Sequence, residues 1–348
     1  MTQSKEISFN GQNIYIGIDV HLRSWSVSIL SEPYLRRQFV QPPSAEALKK
    51  YLVCHFPDGN YHAVYESGFT GFSTYYNLTE LGIDCIIVNA ADVPSTNYDI
   101  VMKTDKTDAA KLALSLKNNM LKGIYIQDKE MLDHRSVLRL RQKIQKQIAG
   151  YKIAVKHLLY SNGVEIPKNF AKSTTWSNAF TLWLKEVELL SSTNNSMIFL
   201  LDNIQTQKAN LLRIVRYVLD LAKSEKYASL FNKIYSIPGI GKMTAMHIIC
   251  EIGSFSRFKN ERQFASYLGL IPRCHNSGEK VSMGKKTFRA NKHLGTMLIE
   301  SSWKAIIHDT ELCAYYNHQR KLLIPQKAII KVARKLSNRI FASVKNES

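Results

Sequence analysis

The chain has 348 residues, 45% of them apolar, and a formal net charge of +19, which is length for two domains and apolar content for real cores rather than disorder. The absence of any run of about 18 apolar residues excludes a membrane-spanning helix, and the opening MTQSKEISFN has no apolar stretch of the secretory type. Five scattered cysteines, Cys54, Cys85, Cys250, Cys274 and Cys313, form no C-x-x-C pair, so free thiols in a reducing cytoplasm are expected and structural zinc is not.

The first elements alternate strand and helix. Ile14 to Val20 is an apolar, β-branched run interrupted by one carboxylate, Asp19, and reads as a central strand buried on both faces. Alternation at Trp25, Val27 and Ile29 predicts an antiparallel partner, and RRQFVQ a third strand. Ser44 is placed to cap a helix from Ala45 to Tyr51. Tyr61 to Tyr65 reads as a fourth strand ending at Glu66, followed by a helix from Gly71 through Leu81, a fifth strand from Asp84 to Val88, and a helix from Asp105 to Leu116. A three-strand meander followed by β-α-β-α is the order of an RNase H-like (RuvC-like) α/β domain, although propensities alone permit other α/β folds.

From about Met131 to Tyr160 the pattern turns helical and basic, and a second helical stretch is predicted over 181–223, with a loop over 162–177 between them. Too few regular heptads are present to separate a coiled-coil arm from a packed bundle. Three regions are expected: a RuvC-like domain over 12–125, a helical connector over 126–230, and a mainly α domain over 231–348. The last of these opens on Ile237-Pro238-Gly239-Ile240-Gly241-Lys242, continues through a loop, IPRCHNSGEKVSMGKK, and ends in a helix from Asn291 to Ile307 and a basic amphipathic helix over the last forty residues. Charge divides along the same lines. Residues 1–120 hold 10 Lys/Arg against 12 Asp/Glu, a net of −2, and residues 121–348 hold 37 against 16, a net of +21. A field of that size suits a polyanion, with nucleic acid favoured over a merely solvated basic surface.

Four acids fall where a metal site would need them: Asp19 in the first strand, Glu66 at the end of the fourth, and Asp105 and Asp108 one helical turn apart at a helix start. A carboxylate in a buried strand requires compensation, and converging carboxylates are hard oxygen donors suited to Mg²⁺ or Mn²⁺, the ions of two-metal phosphoryl chemistry. Taken singly each has a plainer reading: a satisfied structural aspartate, a surface strand end, a helix cap, a first-turn acid. The Pro-Gly-Ile-Gly turn resembles a helix-hairpin-helix turn, in which Gly239, Gly241 and Lys242 would meet a phosphate, though Gly-x-Gly also occurs in plain connectors. Ser277 lies among Arg273, His275, Lys280, Lys285 and Lys286, with Gly278 beside it. A serine is a poor nucleophile without a base or metal, and spacing alone makes Ser277 a turn serine. His21 and His293 are single histidines, more often structural than catalytic.

These motifs in this order resemble a known family, the IS-one-ten group of Piv-like DEDD transposases of bacterial insertion sequences. The matching segments are GIDV with Asp19, YES with Glu66, KTDKTDAAKLA with Asp105 and Asp108, SIPGIGKMTA, FKNERQFASYLGLIPR, NSG with Ser277, and NKHL. The resemblance implies that the four acids bind Mg²⁺, that Ser277 attacks a DNA phosphate to form a covalent phosphoserine link, and that the protein works as a dimer or tetramer with sites built from two subunits. It also implies guidance by a structured non-coding RNA. The chain departs from the family pattern around NKHL, where Ala290 replaces a glycine and Gly295 and Thr296 replace paired arginines. The rival readings are a Holliday-junction-resolvase-like nuclease in which Ser277 is a bystander, and a non-catalytic nucleic-acid-binding protein of transposase descent. A sugar kinase of the actin-like fold is disfavoured because the turn after Asp19, Val20 to Ser24, has no glycine.

Overall fold

A mixed five-stranded sheet organises the first of two compact units, Met1–Ile126 and Gln127–Ser348. The structure, a computed structural model, describes residues 8–31, 35–95, 104–171, 176–277, 280–286 and 290–345; residues 171, 272–277 and 280–286 are described by their backbone alone.

In the first unit, β1 (Asn13–Val20), β2 (Trp25–Ser31) and β3 (Leu35–Gln41) form the expected meander. They are followed by α1 (Ala45–His55), β4 (Asn60–Glu66), α2 (Ser73–Glu80), β5 (Asp84–Val88) and α3 (Asp105–Lys117). The strand order is β3-β2-β1-β4-β5, with β2 antiparallel to β1 and β3, and with β4 parallel to β1 and β5. Period-two alternation sorts the side chains into two layers. Ile14, Ile16, Ile18, Ala63, Tyr65, Cys85 and Ile87 pack with Leu48 and Leu52 of α1 and Leu78 of α2. Val64 and Val88 face the other way and pack with Leu112 of α3. Ser44 caps α1 as its sequence position predicts, accepting from the Ala47 amide at 3.0 Å.

The face of β1 toward α3 carries Tyr15, Gly17 and Asp19, and the helix crosses it at Gly17. A Cβ on Gly17 would lie 2.0 Å from the Ala109 carbonyl oxygen and 2.5 Å from the Ala113 amide nitrogen. The helix supplies small residues, Ala109 and Ala113, at the crossing, so backbone meets backbone. Leu112, beside them, turns into the core.

Among its described residues, the second unit is helical apart from one hairpin. It comprises α4 (Lys129–Ser161), α5 (Lys168–Ala171), α6 (Asn178–Glu186), α7 (Ser191–Leu221), α8 (Glu225–Tyr235), α9 (Lys242–Ile252), α10 (Glu261–Tyr267), β6 (Pro272–Ser277), β7 (Lys280–Lys286), α11 (Lys292–His308), α12 (Thr310–Arg320) and α13 (Pro325–Lys345). The long helices α4 and α7 run antiparallel: Leu138 and Val218 belong to the main core, while Val155 and Leu159 share a separate core with Met197, Leu201 and Ile204.

Three expectations for this unit are corrected. The helical stretch expected over 181–223 is two helices, α6 and α7. Leu184 and Met197 are both buried in the same small core, and their spacing of thirteen would set them about 220° apart on one continuous helix; the break at Val187–Leu190 restores a common face. The stretch over the last forty residues is likewise two helices, with Pro325 opening the second as a first-turn proline can. The segment read as a loop around Ser277 is an antiparallel hairpin, in which Ser277 pairs with Lys280 and Asn276 with Val281, because backbone pairing does not require apolar side chains.

His247, in α9, is fully buried, and neither ring nitrogen has a hydrogen-bond partner among the described residues. Burial, then the neighbouring His293 and Arg141, push its pKa from 6.5 down to about 3. The unfolded chain therefore binds a proton that the fold refuses, so stability is full above about pH 6.5 and falls as pH drops toward 3. His247→Leu should flatten this dependence, by up to about 1.4 kcal/mol per pH unit, without loss of stability at pH 7; urea titrations from pH 7 to 4 measure it. Gly17→Ala should destabilise the first unit by about 3 kcal/mol or more, because the methyl group meets backbone that cannot rotate away; chemical denaturation of the full chain checks this.

Candidate active site

The C-terminal ends of β1 and β4 and the N-terminus of α3 meet on one face of the sheet. The β1–β4 register sets Ile18 opposite Tyr65, so Asp19 and Glu66 are the next residues on adjacent strands. Alternation turns both toward the α3 side. The crossing at Gly17 brings the first turn of α3, one turn before Ala109, to the end of β1.

That first turn is capped by Thr104, not by an aspartate. The Thr104 hydroxyl accepts from the Thr107 amide at 3.2 Å, and Thr107 Oγ1 accepts from the Thr104 amide at 3.0 Å. Asp105 and Asp108 are thereby released from capping. Asp108 lies 4.0 Å from the ammonium of Lys111, which donates to Ser95 Oγ at 2.9 Å.

His21 joins the acids. Its Nε2 lies 3.1 Å from Asp19 Oδ2 and 3.4 Å from Asp105 Oδ2. Among the described residues, Asp19, His21 and Asp105 are the group of three whose ligand atoms all lie within 4.8 Å of one another. Burial raises the Asp19 pKa above the usual carboxylate range; His21 opposes the shift, and the fields of Asp105 and Asp108 reinforce it. The carboxylate oxygens of Asp19 and Asp105, with a third carboxylate felt at Asp19, are hard donors of the kind that suit Mg²⁺ or Mn²⁺, and the His21 imidazole lies between the two as a counter-group. Three of the four acids singled out from the sequence are thus brought together geometrically or electrostatically. Glu66 shares their face at the adjacent strand end but is not a member of the close triad.

Sequence reasoning passed over His21, because a histidine two residues beyond an aspartate carries no spacing signal. It also passed over Gly17, whose role is visible only once Ala109 is known to lie on it.

In the second unit, α8 and α9 flank the Pro-Gly-Ile-Gly turn. Gly239 has φ +88°, and a Cβ there would come 2.6 Å from Ala305 of α11, so its close approach is to another helix. Gly241 is open, with nothing near its Cβ position, and stands as N-cap of α9 without a side-chain cap. Lys242 is exposed, with its ammonium 5.8 Å from the centre of the Tyr235 ring. The side chains of Arg273, Ser277, Lys280, Lys285 and Lys286, and all of Gly278, lie outside the described residues. The structure places the backbone of Ser277 at the end of β6.

A buried acid anchors the NKHL segment. Glu251, 2% exposed, receives Arg139 Nε at 2.7 Å and Arg139 Nη2 at 2.9 Å, and Asn291 Nδ2 at 3.2 Å. Burial alone would raise its pKa, but Arg139, joined by Arg135 and Asn291, outweighs burial and holds it low. Asn291 also caps α11, its Oδ1 accepting from the Leu294 amide at 3.1 Å. Gly295 is buried one turn on, where a Cβ would meet the Leu268 carbonyl oxygen at 2.3 Å. An arginine does not fit at that position in this packing, so the departure from the family pattern there is a packing choice.

Comparison with known proteins agrees with this geometry. Residues 232–317, from α8 through α11 and into α12, match the family model described as Transposase IS116/IS110/IS902. The transposase for insertion sequence element IS1533 of Leptospira borgpetersenii is 25% identical over 262 residues, covering 72% of this chain and 73% of that protein. The transposase for insertion sequence element IS1111A of Coxiella burnetii is 25% identical over 207 residues, covering 59% of this chain and 56% of the relative. The pilin gene-inverting protein of Moraxella bovis is 42% identical over 66 residues, 18% of this chain and 20% of its own. With the ordered motifs and the mixed sheet that precedes the helical unit, these matches make the chain similar to transposases of insertion sequences and, over residues 232–317, to the IS116/IS110/IS902 family.

Proposed function

We propose that the chain cuts and rejoins DNA strands of a mobile element, using the acids of the first unit to hold Mg²⁺ or Mn²⁺ and Ser277 as the nucleophile. The observation that carries this reading is the convergence of Asp19 and Asp105, with Asp108 close enough to act on Asp19, at the strand end where α3 begins. The sheet order β3-β2-β1-β4-β5 is that of an RNase H-like domain and supports the same reading. A bound divalent ion supplies Lewis-acid stabilisation of charge on the phosphate oxygens. Asp19, Asp105 and Asp108 hold it, Glu66 adds a fourth carboxylate from the adjacent strand, and His21 is the counter-group lying between Asp19 and Asp105.

Ser277 then does the covalent work. Its Oγ bonds to phosphorus as a backbone P–O bond breaks; the serine proton passes to solvent or a base, the departing strand oxygen takes up a proton and leaves as a hydroxyl, and a strand hydroxyl later attacks the phosphoserine, forming a strand P–O bond and releasing the serine. The two sets of residues lie on different units, and on this reading different subunits of a dimer or tetramer supply them. The pilin gene-inverting relative is named for an outcome that requires strands to be cut and rejoined. Guidance by a structured RNA rests on the family resemblance, and the basic second unit has the charge to hold it. Action in the cytoplasm fits the same picture, and among the described residues no helix is long and apolar enough to cross a membrane.

Ser277→Ala should abolish a covalent protein–DNA adduct trapped on denaturing gels from element-end DNA. Cleavage that survives Ser277→Ala would replace this reading with that of a metal-dependent nuclease. Mg²⁺ or Mn²⁺ should raise the thermal midpoint of the first unit. Asp19→Asn should remove that response and, without added cation, leave the unit at least as stable as wild type, because it deletes a half-buried charge beside two others. The raised Asp19 pKa has the matching sign: its cost to the fold is present above the folded pKa and fades as pH falls below it.

A further inference from the structure

The antiparallel helices α4 and α7 enclose an open groove of about 660 Å³ on their basal half. It is lined by Val137, Leu140, Ile144 and Gln147 from one helix and Gln207, Asn210, Ile214 and Tyr217 from the other, with Lys143 and Arg213 between. Both sets follow a three-four-three spacing, so each helix turns one continuous seam into the groove. At one end the lining is apolar and aromatic, with Leu140 and Tyr217 each 48% exposed. At the other end it is three side-chain amides.

The charge pattern is one-sided. Among the described residues, no carboxylate lines the groove. Residues 134–161 of α4 contain seven Lys/Arg and no Asp or Glu, and residues 203–219 of α7 contain three Lys/Arg and no Asp or Glu. A second copy of the arm is a poor occupant, because a two-fold axis would bring the same patch, whose charged lining residues Lys143 and Arg213 are both positive, against itself. A furrow of this size along two packed helices suits a single strand better than a duplex. Lys143 and Arg213 offer phosphate contacts, Tyr217 and Leu140 a stacking surface that any base can use, and the amides donors and acceptors for base edges or sugar oxygens.

We propose that this groove binds a single-stranded segment of the DNA on which the transposase acts, with its phosphates on Lys143 and Arg213 and a base against Tyr217. The proposal rests on the reading of this chain as a transposase and not on the metal or serine chemistry, so it stands or falls separately from them.

The test is fluorescence anisotropy of the full-length protein with labelled oligo-dT across a salt series. A double variant, Lys143→Glu with Arg213→Glu, is compared with an equal charge change away from the groove, Lys185→Glu with Lys321→Glu. All four side chains are exposed, and thermal melts confirm that both variants fold. The groove variant should bind at least about tenfold more weakly, and its log–log salt slope should fall by about 1.4, two phosphate contacts at about 0.7 each. The control variant should bind like wild type. Bromodeoxyuridine-substituted oligo-dT should photocrosslink to the Tyr217 peptide. Equal losses in the two variants would overturn the proposal in favour of a diffuse basic field. A loss confined to an oligo-U RNA probe would reassign the groove to RNA. Unchanged oligo-dT binding, with sedimentation showing that the groove variant dissociates an oligomer, would reassign it to a second copy.

Discussion

The contact of α3 with β1 at Gly17 is the constraint on which the acidic site depends. Only a residue without a side chain lets the Ala109 carbonyl and the Ala113 amide come this close to the strand. A larger residue would lift the helix and carry Asp105 and Asp108 away from Asp19. Packing and chemistry are therefore coupled through one position: the interior of α3 is held tight against the sheet so that its exposed first turn can be held in place. The capping box at Thr104 and Thr107 completes the arrangement. It satisfies the helix end with hydroxyls and leaves the two carboxylates turned to another purpose.

The second unit uses the same economy at its NKHL segment. Glu251 is buried with a full set of charge-assisted partners, and the same Asn291 that donates to it also caps α11. One buried carboxylate thus relates α4, α9 and α11, and Arg139 and Asn291 hold positions set from inside the core. Charge groups buried with complete partners are tolerated for the geometry they impose; here that geometry is the start of the helix that follows the Ser277 hairpin.

Much of the first unit was legible because its signals are local. A continuous apolar, β-branched run located β1, alternation located β2, short strand-like segments located the other three, Ser44 announced α1, and the Asp105–Asp108 pair marked the start of α3. What local patterns cannot show is which distant residues meet. Gly17 looked like any glycine in a strand, and His21 like any lone histidine, until α3 was placed over them. In the second unit a run of helix formers concealed the break before α7, because propensity is nearly blind to which face must be buried. The segment around Ser277 read as a loop because its residues are polar and its glycines conspicuous, whereas the hairpin is held by backbone pairing that polar side chains do not prevent. Gly239 and Gly295 read as ligand-facing or aberrant positions, and both are points where helices touch.

The Gly17 contact also has a temporal side. The chain is synthesised from its N-terminus, and the residues that cover the second face of β1 follow Gly17 by 92 positions, at Ala109. Throughout that interval the first strand can pair and bury its other face on α1 and α2, but the face that bears Asp19 stays bare. The nascent protein therefore carries Asp19 with His21 beside it and Glu66 on the adjacent strand, and Asp105 and Asp108 join them only when α3 has emerged and docked. Completion of the sheet and acquisition of the acidic centre are separate events in the life of the molecule, in that order.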